Sequence, residues 1–199
     1  MNELRQKWED RYARGETPWN TGRPDPHLVQ LISSWPPHRG AVLDIGCGTG
    51  SDALWLARQG FQVTGLDIAG QALDTARERA RQAGLTLILL QGDFLRDPIP
   101  GNDYELVFDR GCLHSCRTPE SRHLFVQRAA ALLAERGLWL CLAGNADAPA
   151  GESGPPRLRA EELAQVVEPH FEILELKAVQ LETELAISPL FWRCLMRKR

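Results

Sequence analysis

The stretch Val42-Leu43-Asp44-Ile45-Gly46-Cys47-Gly48-Thr49-Gly50 decides the fold. Ala41 to Ile45 is a short apolar run of the kind that forms a buried strand. The glycines after it let the backbone turn tightly and pass close to a ligand with no side chain in the way. A helix is expected from about Asp52 to Gln59. Strand, glycine turn and helix in that order place a ligand site just outside the carboxyl end of a strand in an open α/β sheet.

Outward from this stretch the same alternation continues. Phe61 to Leu66 reads as a second strand. A helix from about Gly70 to Ala83 puts Ala72, Leu73, Ala76, Ala80 and Ala83 on one face, with Gly84 as its C-terminal stop. Thr86 to Leu90 and Tyr104 to Phe108 are the third and fourth strands. Thr118-Pro119 supplies a cap and a first-turn proline for a helix to about Leu133. Leu138 to Ala143 is the fifth strand, and a helix over Arg159 to Val167 comes after a loop from Gly144 to Pro156. Phe171 to Val179 and Phe191 to Arg197 close the chain as two strands with no helix between them. Alternating strands and helices imply a mainly parallel sheet, and the final pair implies an antiparallel edge. The expectation is a single α/β domain over residues 1–199, with a Rossmann-like seven-stranded core over 40–199 and helices on both faces.

Toward the N-terminus, Leu4, Trp8 and Tyr12 share one face of a short helix that Gly15 can end. Pro18, Gly22, Pro24, Pro26 and Pro36-Pro37 keep most of the next segment extended, around a short helix from His27 to Ser33. Residues 1–39 are therefore expected to form a separate cap or lid segment.

The 199 residues are 43% hydrophobic and 25% charged, an ordinary globular balance that gives a core large enough for one domain. A formal net charge of -3 provides no pull toward a polyanion, so no nucleic-acid partner is expected. No run approaches the roughly 18 apolar residues a membrane helix needs, and the first residues do not read as a signal peptide. The five cysteines, at 47, 112, 116, 141 and 194, are odd in number and scattered, which suits a reducing compartment. The cytoplasm is the expected location, and a monomer or weak homodimer the expected state.

Two nucleotide readings meet at the glycine turn. A dinucleotide site would have the pattern G-x-G-x-x-G/A, with its third small residue at position 51, occupied here by Ser51. This chain instead has G-x-G-x-G, and Asp44 precedes it by two residues, which suits a ligand bearing an ammonium group better than a pyrophosphate. Asp67, with Ile68 beside it, comes about 23 residues after Asp44, the range for a carboxylate that holds both ribose hydroxyls. Gln91-Gly92-Asp93-Phe94 ends the third strand with a carboxylate for an exocyclic amine and a backbone N–H next to it. Any one of these acids could be a solvated strand end or a helix cap; three at successive strand ends point to a ligand.

On these residues the chain resembles the class I S-adenosylmethionine-dependent methyltransferases over essentially its full length. The resemblance implies strand order 3-2-1-4-5-7-6 with strand 7 antiparallel. It assigns Asp44 and Gly46, Cys47, Gly48 and Gly50 to the methionine moiety, Asp67 to the ribose, and Asp93 with the Phe94 N–H to adenine. Trp8-x-x-x-Tyr12-x-x-Gly15-x-Thr17-Pro18-Trp19, with Phe108-Asp109-Arg110-Gly111-Cys112-Leu113, is similar to the thiopurine and thiol S-methyltransferases. In that branch the N-terminal stretch folds over the cofactor, and the arginine after strand four lies at the cofactor–substrate junction. This implies cofactor contacts for Trp8, Trp19 and Arg110. Asn20 stands where related thiol enzymes often carry Asp, and His114 is an ionisable group the thiopurine enzymes lack there.

The expected activity is methyl transfer to a small molecule, a thiol or other soft nucleophile. Asp109, Arg110 and His114 are the candidate catalytic residues: Arg110 to orient an anionic group or favour a thiolate, Asp109 and His114 as bases should the acceptor be a hydroxyl or ammonium. His114 could equally be a polar residue at the rim, Arg110 a partner for a nearby acid, and Trp8 with Tyr12 a stripe packed on the core. Cys112, His114, Cys116 and His123 lack the paired spacing of a zinc site, so no metal is expected. The alternatives are an O- or N-methyltransferase, a non-catalytic S-adenosylmethionine sensor and a dehydrogenase.

Overall fold

The computed structural model describes residues 3–35, 39–148, 156–186 and 188–199. Pro36-Pro37 and most of the Gly144-to-Pro156 loop, both singled out in the sequence, lie outside the described residues. Seven strands form one sheet in the order β3-β2-β1-β4-β5-β7-β6, and the chain divides into two compact units.

The first unit takes residues 1–99 with 182–186. It carries α1 (Glu3–Ala13), α2 (Pro26–Ser33), β1 (Ala41–Ile45), α3 (Ser51–Arg58), β2 (Gln62–Asp67), α4 (Gly70–Gln82) and β3 (Ile88–Gln91). β2 runs parallel to both β1 and β3, with Asp44 opposite Gly65 and Asp67 opposite Gln91. Val42 and Leu43 on β1, Leu66 on β2, and Leu73 and Ala76 on α4 are buried in its core. α2 starts one residue before the expected His27: the Asp25 side chain accepts the His27 N–H, and Pro26, read from sequence as extended, takes the first turn. On α4 the expected stripe is buried at Ala72, Leu73, Ala76 and Ala80, while Ala83 is exposed because it is already the C-cap.

The second unit takes residues 100–181 with 187–199. Within it lie β4 (Tyr104–Arg110), a 3-10 turn (Leu113–Ser115), α5 (Pro119–Leu132), β5 (Leu133–Gly144), α6 (Ala160–Val167), β6 (Phe171–Gln180) and β7 (Leu190–Lys198). Thr118 caps α5 by accepting the Ser121 N–H, and Pro119 opens the helix, as the sequence requires. β5 begins five residues before the expected Leu138. Tyr104 pairs with Leu133 and Leu106 with Leu138, so a bulge absorbs residues 134–137, with Arg136 at φ 59°. β4 and β5 are parallel, whereas β7 is antiparallel to both β5 and β6. Trp139 fills the core, stacked on Phe125 at 5.9 Å and tilted against Phe171 at 5.3 Å.

Among the described residues, no helix is long and apolar enough to cross a membrane.

Candidate active site

The glycine turn is built by backbone hydrogen bonds. The amides of Gly46 and Cys47 both donate to the Leu66 carbonyl, at 2.7 and 3.0 Å, and Gly50 N–H donates back to Cys47 at 2.9 Å. Gly48 sits at φ +55° and Gly50 at φ +81°, conformations that L side chains rarely adopt. A Cβ on Gly48 would lie 2.8 Å from the Tyr12 hydroxyl, and one on Gly50 would lie 3.0 Å from Ala76 Cβ. Backbone angle thus demands glycine at both positions, and at Gly50 the close approach of Ala76 adds to it.

Asp67, at the end of β2, is only 8% exposed. Its two oxygens accept the Gly48 and Ala69 N–H groups, each at 2.8 Å. Burial raises its pKa, and these backbone bonds partly oppose the rise. Each carboxylate oxygen keeps further acceptor capacity, the chemistry required to hold a pair of ribose hydroxyls. Asp44 is buried at the end of β1. Burial first, then the charges of Asp44 and Asp67, push the Cys47 thiol well above the usual cysteine range. Ile68 is half-buried beside Asp67. Asp93 accepts the Leu95 N–H at 3.0 Å and lies 3.6 Å from Arg96, while its own N–H donates to Asp97 at 2.8 Å; Phe94 is buried. The glycine cradle, buried Asp44 and Asp67 and half-buried Asp93 after consecutive strands carry the chemistry to fit the amino-acid and adenosyl groups of S-adenosylmethionine.

The N-terminal aromatics cluster with one another, and Tyr12 of that cluster meets the turn at Gly48. Trp8 and Trp19 meet edge to face at 5.5 Å, Tyr12 and Trp19 at 6.3 Å, and the Arg11 guanidinium lies 4.4 Å from the Trp19 ring. Glu9, Thr49 and Arg79 have structural roles in this unit that the sequence did not disclose. Glu9 accepts the N–H groups of Gly70 and Gln71 at 2.7 and 3.2 Å, supplying from α1 a cap that α4 lacks at Ala69. The absence of Ser, Thr, Asp or Asn from Ile68-Ala69-Gly70 was the available signal. Thr49 donates to Asn20 at 2.7 Å, and Arg79 donates to Thr49.

In the second unit Asp109 is wholly buried at the end of β4. It accepts the Cys112 N–H at 2.7 Å, the Leu113 N–H at 3.3 Å and the Cys141 thiol at 3.2 Å. Burial pushes its pKa up to about 6, against the lowering effect of those bonds. Asp109 orders the turn just after Arg110, with its carboxylate engaged inward by these three donors. Arg110 is half-buried next to it.

His114 corrects an expectation. It does not stand at the rim: the residue is 3% exposed and in edge contact with Phe191 at 5.4 Å. Its Nδ1 accepts the Gly144 N–H at 2.6 Å, so a neutral ring carries its proton on Nε2. Burial lowers its pKa to about 4. An imidazole so placed has no vacant nitrogen for a substrate proton. The 3-10 turn that buries it was not foreseen, because Leu113-His114-Ser115 has no periodicity to read. Asn145, wholly buried at the end of β5, accepts the Asp147 N–H at 2.7 Å.

Residues 4–187 match the family described as thiopurine S-methyltransferase. The chain belongs to that family. It is an S-adenosylmethionine-dependent methyltransferase. Among curated relatives of this thiopurine S-methyltransferase family member, "Probable thiol methyltransferase 2" of Arabidopsis thaliana is 32% identical over 92% of the chain and 79% of the relative. "Thiocyanate methyltransferase 1" of Brassica oleracea is 41% identical over a shorter stretch, 36% of the chain and 31% of the relative. In fold, the Burkholderia thailandensis 1,6-didemethyltoxoflavin-N1-methyltransferase superposes with a TM-score of 0.81 at 20% identity, covering 98% of this chain and 87% of that one. A protein solved in work on conversion of a disulfide bond into a thioacetal during echinomycin biosynthesis gives 0.84 at 23% identity, over 98% and 92%.

Proposed function

We propose that this chain S-methylates a small thiol, taken as its thiolate. The observation that carries the reading is the state of His114: buried, with Nδ1 occupied by the Gly144 N–H. A hydroxyl acceptor must surrender its proton to a base, and the one imidazole on the strand-four turn is not placed to take it; against an amine the reading rests on the likeness to relatives named for thiol methylation. A thiol, with a reference pKa of about 8.5, supplies its nucleophilic form by ionising in water. The similarity to proteins named for thiol and thiocyanate methylation supports the same class.

When bound, S-adenosylmethionine supplies an electrophilic methyl group on a sulfonium. In this reading Asp44, Gly46, Cys47, Gly48 and Gly50 receive its methionine end, Asp67 and Ile68 its ribose, and Asp93 with Phe94 its adenine. Trp8 and Trp19 wall the cofactor within a cap formed by residues 1–39, and the core occupies 40–199. Arg110, permanently cationic, orients an anionic group of the acceptor or favours its thiolate. Asp109 holds the turn that presents Arg110. We further propose a cytoplasmic monomer or weak homodimer acting on free small molecules, with no nucleic-acid or membrane partner. The five free cysteines accord with a reducing compartment.

The test is transfer of label from S-adenosylmethionine to a panel of small thiols, phenols and amines, with pH–rate profiles for the best acceptor. A rate that tracks thiol ionisation is expected. Good turnover of phenols or amines, with none on any thiol, overturns the proposal.

A further inference from the structure

We infer that Arg79, on the flank of α4, is a positioning residue of the cofactor site, fixing the peptide plane of the glycine turn and fastening the Trp19 segment to it. The inference rests on the reading that this turn holds S-adenosylmethionine.

Arg79 adjoins the buried stripe of α4 but is not part of it; the residue is half-buried, and its guanidinium leaves the helix toward two other segments. Nη1 donates to the Thr49 carbonyl at 3.0 Å, with the Thr49 and Ser51 hydroxyls each at 3.2 Å, and Nη2 donates to the Gly22 carbonyl at 3.3 Å. One amino group has two protons, so these three acceptors share them, and the carbonyl is nearest. Among the described residues Arg79 forms no ion pair. Its donors go to neutral oxygens of the turn and the N-terminal segment, an arrangement that Lys, with a single ammonium, cannot span.

The geometry has two consequences. The Thr49–Gly50 peptide is held at both ends, its carbonyl by Arg79 and its N–H by the Cys47 carbonyl at 2.9 Å. This is the peptide that leads into Gly50 at φ +81°, so its orientation decides where the turn presents its backbone. The Thr49 hydroxyl also relays the contact: it receives from Arg79 and donates to Asn20 Oδ1 at 2.7 Å. Asn20 adjoins Trp19, and Gly22 lies two residues beyond Asn20. Arg79 and Thr49 thus grip the aromatic segment at two points, and the segment and the turn move as one piece.

The test is binding of S-adenosylhomocysteine by calorimetry to the wild type, Arg79→Met and Arg79→Lys, with amide exchange read at residues 20–22 and 50. Arg79→Met is expected to weaken binding by about tenfold. It should also speed exchange at those amides and raise the KM for cofactor while leaving kcat at saturation near that of the wild type. Arg79→Lys should restore less than half of the lost binding free energy. Thr49→Val breaks the relay to Asn20 without touching the helix, and stands in if Arg79→Met does not fold. A double-mutant cycle of the two should be clearly non-additive. No binding by the wild type would sink the cofactor reading itself. Wild-type binding with unchanged affinity or unchanged exchange in the variants would overturn the role of Arg79 alone.

Discussion

The amide of Gly144 donates to Nδ1 of His114 across 2.6 Å, and this bond sets the tautomer of a ring that burial already keeps neutral. With the proton on Nε2, the imidazole anchors the end of β5 through Gly144, and in the proposed reading it is not the base. His114→Gln, whose amide oxygen can still accept that N–H, should therefore leave the pH–rate profile for a thiol tracking thiol ionisation. A loss of about 10²–10⁴-fold, the size usual for removal of a general base, would return His114 to the chemistry. Steady-state rates of both proteins from pH 6 to 9 decide it.

His114 and Asp109 also oppose each other in stability. The folded pKa of Asp109 is up at about 6 from an ordinary 3.8, so between those values the folded protein holds a proton the unfolded chain has released, and acid stabilises. The folded pKa of His114 is down at about 4 from 6.5, so there the unfolded chain holds the extra proton and acid destabilises. Each effect is on the order of 3 kcal/mol. They largely cancel in the wild type between about pH 4 and 6. Relative to it, Asp109→Asn should lose stability on acidification and His114→Gln should gain it, as read by urea midpoints across that window. Parallel curves for all three proteins would contradict the assignment.

Asp67→Asn keeps the side chain's volume and one acceptor but gives up the carboxylate. If Asp67 holds two ribose hydroxyls, affinity for S-adenosylhomocysteine should fall by roughly 10–100-fold, the loss expected for a charged hydrogen-bond pair. Equal affinity in calorimetry would leave Asp67 with only its turn-forming bonds to Gly48 and Ala69.

Gly48→Ala faces two separate costs: a residue at φ +55° and a Cβ 2.8 Å from the Tyr12 hydroxyl. Destabilisation of about 1–3 kcal/mol is expected. Tyr12→Phe removes the opposing oxygen, so the double variant should recover part of that loss while the backbone strain remains. Thermal melts of the two singles and the double are sufficient. No recovery would mean that backbone angle alone requires the glycine.

Legibility depended on the range of the interactions concerned. The alternation of strands and helices, the antiparallel final pair and the order β3-β2-β1-β4-β5-β7-β6 could be anticipated because strand runs, caps and the glycine turn are local signals and the family resemblance supplied the order. The helix start at Thr118-Pro119 was written in capping chemistry, whereas the equivalent Asp25-Pro26 signal was lost among the neighbouring prolines. What stayed hidden depends on partners far along the chain. Glu9 caps a helix beginning at Gly70, Arg79 reaches back to Thr49 and Gly22, and Cys141 donates to Asp109. His114 was read as a base or a rim residue because nothing in Leu113-His114-Ser115 reveals that Gly144 will meet its ring. The early start of β5 was missed because its first pairing precedes a bulge, which breaks the period-two pattern.

A protein that handles a sulfonium methyl donor keeps an alkylating reagent beside its own side chains. Cys47 lies within the glycine turn itself, the sulfur set closest in sequence to where that reagent is read to bind. Burial and the surrounding carboxylates keep it protonated, and Cys141 and Cys194 are likewise buried, the latter pushed up to about 12. A thiol is a poor nucleophile until it ionises. Under the proposed reading, burial first and the carboxylates of Asp44 and Asp67 second would keep the Cys47 thiol from taking the methyl group itself.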